Sequence, residues 1–166
     1  NDPIKAMRAY TRAADYTESS TYGYAIYKQG WCYINVAEWA KALERFEQVI
    51  HISEDQKQDL DDRSRMGLRK EGIRDYVRAY ANIGNEKQAY RDFRKVAGPD
   101  AVPQMMESLG SWYVEQGEHK KLITVYLDYI KHFEDSTRVP ILQGRIVDAT
   151  ANIGDKRGTV VQAKLL

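Results

Sequence analysis

At 166 residues, 43% hydrophobic and 30% charged, the chain has room for one compact domain or a short repeat array. Its net charge of +1 creates no global field toward nucleic acid or an anionic membrane, and no apolar run approaches the roughly 18 residues of a membrane span. Cys32 is the single cysteine, so an internal disulfide is excluded, and four prolines and eleven glycines argue against a turn-rich all-β chain.

The chain begins with Asn1 and reads as a piece of a longer protein. Residues 3–16 place Ile4, Met7, Tyr10, Ala13 and Ala14 on a helical stripe, with Pro3 suited to the first turn. After the polar break 17–20, a helix is predicted from about Thr21 to Val36, with Tyr22, Ile26, Gly30 and Tyr33 on one face. A second follows the break at Ala37 and runs through Ile52, bearing Trp39, Ala42, Leu43, Phe46, Val49 and Ile50.

Residues 53–62 are polar and acidic. A long helix is predicted from about Asp59 to Ile83, its early acids preceding Arg63, Arg65, Arg69 and Lys70 as the helix dipole favours. Leu60, Met66, Ile73, Tyr76, Val77 and Tyr80 form its apolar positions, and Gly84 suits a left-handed helix end. The next helix is predicted over about 85–96, using Ala89, Phe93 and Val96, before the break at Gly98-Pro99-Asp100. Helices at 101–116 and 118–133, split at Gly117, bury Met105, Met106, Leu109, Trp112 and Tyr113, then Leu122, Val125, Tyr126, Tyr129 and Ile130. Ser136 or Thr137 is placed to cap a helix to Ile153, and a last helix runs from Asp155 toward Leu166. The fold class expected is all-α, an α-solenoid of antiparallel helix pairs with about nine helices.

The hinges repeat. Ala81-Asn82-Ile83-Gly84-Asn85 returns as Ala151-Asn152-Ile153-Gly154-Asp155, and related turns lie at Ile34–Trp39 and Val114–Lys120. The four turns are 47, 33 and 37 residues apart, the signature of a two-helix repeat. Ile26, Gln29-Gly30 and Tyr33 followed by Ala42 and Phe46, and Met106, Leu109-Gly110 and Tyr113 followed by Leu122 and Tyr126, resemble the tetratricopeptide repeat, as do Ile73, Tyr76-Val77 and Tyr80 followed by Ala89 and Phe93. The departures are the missing opening tryptophan, Val77 and Leu122 where small residues are usual, and about thirteen extra residues between the first two repeats. Other helix-pair solenoids and an irregular helical bundle remain open. On this reading 1–20 ends a severed repeat, 21–52, 59–97 and 100–134 are repeats of one array spanning 1–166, and 137–166 is a degenerate terminal repeat. The joint at 15–22 followed by 25–33 resembles that of bacterial cell-envelope members of the family, including those of gliding bacteria. That resemblance implies a periplasmic or outer-membrane-associated scaffold.

No residue pattern signals catalysis, a cofactor or a metal. His51, His119 and His132 are far apart, so no paired-histidine metal spacing exists. Cys32 sits mid-helix between Trp31 and Tyr33, away from the helix start or cation that activates a thiolate. Asp61 and Asp62 lie in a polar stretch, not a pocket. The basic cluster of Arg63, Arg65, Arg69, Lys70, Arg74 and Arg78 is cancelled by acids at 59, 61, 62, 71 and 75, so nucleic acid is not expected as a partner.

The resemblance implies a protein or peptide partner in a concave groove lined by the first helix of each repeat. Helical phase puts Tyr24, Tyr27, Trp31, Ile34 and Asn35 there from the first repeat, and Arg74, Arg78 and Asn82 from the second. The third contributes Glu107, Ser111 and Glu115, and the fourth Asp148 and Asn152. Tyr27 and Trp31 would grip the ligand, Arg74 and Arg78 hold a carboxylate, and Glu107 and Glu115 favour a basic residue. The competing reading packs Tyr27 and Trp31 against the upstream repeat or the neighbouring helix. The function expected is a non-enzymatic interaction scaffold in a larger, cell-envelope or motility, complex. The alternative is a regulatory or docking region of a larger enzyme.

Overall fold

The computed structural model describes residues 3–54 and 61–166. Nine α-helices lie among the described residues: α1 (Pro3–Ala14), α2 (Tyr22–Asn35), α3 (Trp39–Glu54), α4 (Asp62–Ile83), α5 (Ala89–Ala97), α6 (Val102–Glu115), α7 (His119–His132), α8 (Val139–Asn152) and α9 (Lys156–Ala163). A 3-10 turn, Pro99–Ala101, precedes α6, and no strand occurs among the described residues. The fold is all-α, as the periodicity predicts. Two compact units divide it, Asn1–Ile83 and Gly84–Leu166, with the boundary inside the repeat expected at 59–97. In the first, α1 packs on α2, α2 on α3 and α3 on α4; in the second, α5 meets α6, and α6, α7, α8 and α9 pack in succession.

Two glycines set the spacing inside helix pairs. A Cβ at Gly30 of α2 would lie 2.6 Å from the Phe46 ring of α3, and one at Gly110 of α6 would lie within 2.1 Å of the Tyr126 ring of α7. Each ring occupies the volume a side chain would fill, and both rings are fully buried. Around them Ile26, Ala42, Val49 and Ile50 complete the core of the first pair, and Met106, Leu109, Leu122 and Val125 that of the other.

The turns inside these pairs share one hydrogen-bond pattern. Glu38 N–H bonds the Tyr33 carbonyl at 2.9 Å, Glu118 N–H that of Tyr113 at 2.8 Å, and Asp155 N–H that of Thr150 at 3.1 Å. Such a six-residue closure needs a left-handed residue just before the last donor. Gly117 (φ 71°) and Gly154 (φ 77°) supply it, whereas at the first turn Ala37 does so at φ 57°. Gly84 does not adopt the left-handed conformation expected of it. Asn85 instead makes a local turn, its side chain accepting from Lys87 N–H at 3.1 Å and its carbonyl from Gln88 N–H at 2.9 Å. Helix α5 therefore starts at Ala89, four residues later than expected.

Other expectations also shift. Asp59 and Leu60 lie outside the described residues, and α4 is described from Asp62. Ile4 and Met66, placed on apolar stripes, are exposed; in α4 it is Leu68 that faces Gly23 of α2. Gly72, two turns after Met66, already meets Val49. The cap of α8 is Arg138, with no side-chain bond; Ser136 Oγ accepts from Arg138 N–H at 3.2 Å just before the helix.

Two substitutions test this account. Ala37→Gly relieves a left-handed alanine and is expected to stabilise the chain by about 1 kcal/mol in urea unfolding. Gly110→Ala is expected to destabilise it by about 1–3 kcal/mol through overpacking on Tyr126, while Gly144→Ala, with open space around it, gains about 0.5–1 kcal/mol of helix propensity.

Candidate functional site

Three of the residues expected to contact a partner, Tyr27 and Trp31 of α2 and Arg74 of α4, converge on one buried acid. Asp75 of α4 is 2% exposed. Its Oδ2 accepts from Tyr27 Oη–H at 2.7 Å, Trp31 Nε1–H at 3.0 Å and Arg74 Nη2–H at 3.0 Å, and its Oδ1 accepts from Arg74 Nε–H at 3.1 Å. Arg74 Nη2 also donates to Tyr27 Oη at 3.2 Å. A buried carboxylate tolerates its desolvation only when charged and polar donors surround it in this way. The guanidinium of Arg78 lies 4.9 Å from the Trp31 ring centroid, a cation–π contact on the same face.

Burial and hydrogen bonding divide these side chains into two roles. Tyr27 is 5% exposed, its ring 5.9 Å from that of Phe46, so it seats α2 instead of standing free in a groove. Its hydroxyl is pushed up to about 12, first by burial and then by the bond to Asp75. Arg74 is raised above its ordinary value chiefly by Asp75, yet its side chain remains 61% exposed. Tyr24 is 52% exposed, with the Lys28 ammonium 4.9 Å from its ring centroid. Trp31 is half-buried, Asn35 is exposed, and Asn82 is exposed with its amide donating to the Arg78 carbonyl at 2.9 Å. Ile34, placed with this face by helical phase, is buried at the start of the turn into α3.

The second unit carries a separate constellation. Glu107 of α6 is held through Oε2 by Arg138 Nε at 2.9 Å and Nη2 at 2.7 Å, so an intramolecular arginine occupies the acid expected to greet a basic ligand. Arg145 of α8 donates to Tyr126 Oη at 3.1 Å and Ser111 Oγ at 3.4 Å, both neutral. Glu115, Asp148 and Asn152 are exposed. Sequence reasoning missed Asp75, Arg138 and Arg145. Asp75 was detectable, because it falls in helical phase with the buried Gly72 and Ala79.

The helix pair α2–α3, with its ring-filled glycine and six-residue turn, can now be compared with known families. Residues 24–52 match the tetratricopeptide repeat model. The match supports that family, whose repeats typically serve as non-catalytic interaction modules. No curated protein and no solved structure matches the chain significantly. Within the matched repeat, Cys32 is buried and its thiol is pushed up by burial, which suits a packing residue. No cluster of metal-ligating side chains and no helix long and apolar enough to cross a membrane occurs among the described residues.

Asp75→Ala strands Tyr27, Trp31 and Arg74 and is expected to cost about 3–5 kcal/mol in chemical unfolding, against about 1–3 kcal/mol for Asp75→Asn. The raised hydroxyl adds a pH dependence. Folding holds the Tyr27 proton more tightly than the unfolded chain, whose tyrosines titrate near ~10. Its contribution is therefore complete below pH ~10 and is lost as pH rises through about 12. Tyr27→Phe is expected to flatten that alkaline loss, measured by circular dichroism, leaving the share of Tyr113, also raised to about 12.

Proposed function

We propose that the chain is a protein-interaction scaffold that holds a peptide or protein segment against the exposed edge of the Asp75 cluster. One observation carries this reading: a buried carboxylate, bonded to three side chains, holds Arg74 and Trp31 in fixed positions at the surface. Aromatic and arginine side chains ordered before binding lose little freedom when a ligand arrives, which is the property of interaction hot spots. Trp31, Tyr24 and Arg78 offer a flat aromatic and cationic surface, and Asn35 and Asn82 border it with polar groups.

The ligand chemistry that fits is a segment combining an apolar or aromatic side chain with a carboxylate. Trp31 and Tyr24 receive the first, and the exposed guanidinium of Arg74 with the half-buried Arg78 the second. Glu107 and Glu115 belong to the other unit and make a second, independent contact region in this proposal. Glu115 offers a free acid there, while Glu107 engages a partner only after exchanging Arg138. The placement in a cell-envelope or motility complex is drawn from the repeat joint at 15–33 alone.

Crosslinking in native cells, followed by mass spectrometry, identifies the bound segment. With that segment as a synthetic peptide, the double variant Trp31→Ala/Arg74→Glu is expected to weaken binding by at least about 2 kcal/mol while the helical circular dichroism spectrum persists. Unchanged affinity in the folded variant removes this face as the binding surface.

A further inference from the structure

A recess lies in the first unit, between α1, α2 and α3, and none of the Asp75 cluster lines it. It offers about 370 Å³ and is open to solvent. One side is apolar, with Met7 and Ala14 of α1 and Ile26 of α2. The other side is polar, and one of its donors lacks an acceptor. Gln29 is 5% exposed and lines the recess. Arg45 of α3 lines it as well; its Nε is sealed from solvent and has no acceptor.

Among the described residues no carboxylate pairs with Arg45. Its Nη1 donates to Gln48 Oε1 at 2.9 Å, a neutral group. Asp15, the single carboxylate lining the recess, is exposed and does not pair with it. Gln48 is also committed on its other side, with Nε2 donating to Tyr22 Oη at 3.0 Å, so the Tyr22 hydroxyl proton is free to be donated. A buried amide, a half-buried guanidinium and a phenol thus line one recess open to solvent, opposite an apolar wall. Leaving such groups unmatched is costly, and an acceptor carrying negative charge offsets the cost better than a neutral one.

We propose that this recess is a binding site for a small monocarboxylate with an apolar arm. The carboxylate accepts from Arg45, Gln29 and Tyr22, and the arm lies against Met7, Ala14 and Ile26. Asp15 disfavours a second carboxylate on the ligand. The volume accommodates an arm as large as a phenyl ring with space remaining. The inference is independent of the protein-binding face described above.

The test titrates 3-phenylpropanoate into the whole chain by NMR and calorimetry, with 3-phenylpropanamide as the neutral counterpart. Saturable binding is expected, shifting the Gln29 side-chain amide and Ile26 methyl resonances, with the amide ligand about tenfold weaker. Arg45→Met is expected to lose about tenfold in affinity for the acid, and Arg45→Lys to retain the preference for acid over amide. Gln29→Leu, which keeps the side chain near its original volume, is expected to weaken the acid about threefold without altering the guanidinium. Circular dichroism establishes that each variant is folded. Absence of saturable binding, equal affinity for acid and amide, or an Arg45→Met variant that binds as well as the parent would overturn the proposal and leave the recess as a space for water.

Discussion

Gly30 leaves a space beneath α2 that the Phe46 ring fills from α3, and Gly110 leaves the equivalent space for Tyr126. The surfaces of each pair depend on that approach. A side chain at either glycine would force the ring aside, and the helices would separate by a fraction of a side-chain diameter. In the first unit the same seating brings Tyr27 to a position where its ring meets Phe46 while its hydroxyl reaches Asp75. The packing contact and the polar cluster are thus opposite ends of one tyrosine. Disturbing either propagates to the other through a side chain with only two rotatable bonds.

Asp75 shows how a buried charge is made tolerable and useful together. Three side chains from two helices donate to it, so its desolvation is balanced by charge-assisted and neutral hydrogen bonds. Their outer surfaces remain accessible to a partner, with Arg74 mostly exposed and Trp31 half-buried beneath Arg78. In the second unit the charges are arranged differently. Arg138 neutralises Glu107 within the unit, while Arg145 meets only hydroxyls. Helical phase offers the acids Glu107, Glu115 and Asp148 here, but bonding inside the unit neutralises Glu107 and sets Arg145 beside hydroxyls.

Much of the helical organisation was legible in the sequence, because hydrophobic period and turn chemistry are local. Gly117 and Gly154 are left-handed as their positions suggest, and Gly98 ends α5 ahead of Pro99. Gly84 shows the limit of reading by analogy. Its flanking residues match those of Gly154, yet the next residue is Asn85 instead of Asp155. Asn85 closes its own turn, whereas Asp155 caps α9 by accepting from Gly158 N–H at 2.8 Å. Ala37 departs in the other direction, taking a conformation that a sequence reader would reserve for glycine.

The candidate sites were legible only in part. Helical phase placed Tyr24, Trp31, Arg74 and Arg78 near one another in kind, since an i, i+4 relation follows from 3.6 residues per turn. The sequence by itself thereby determined the helices and the residue types available at the surface. Only the tertiary structure decided which of them are bound to each other. Tyr27 and Asp75 are separated by 48 residues, and Glu107 and Arg138 by 31. The recess beside Arg45 exists because three helices fail to close completely around an unmatched donor. Such pairings depend on distances across packed helices, and helical periodicity carries no information about those distances.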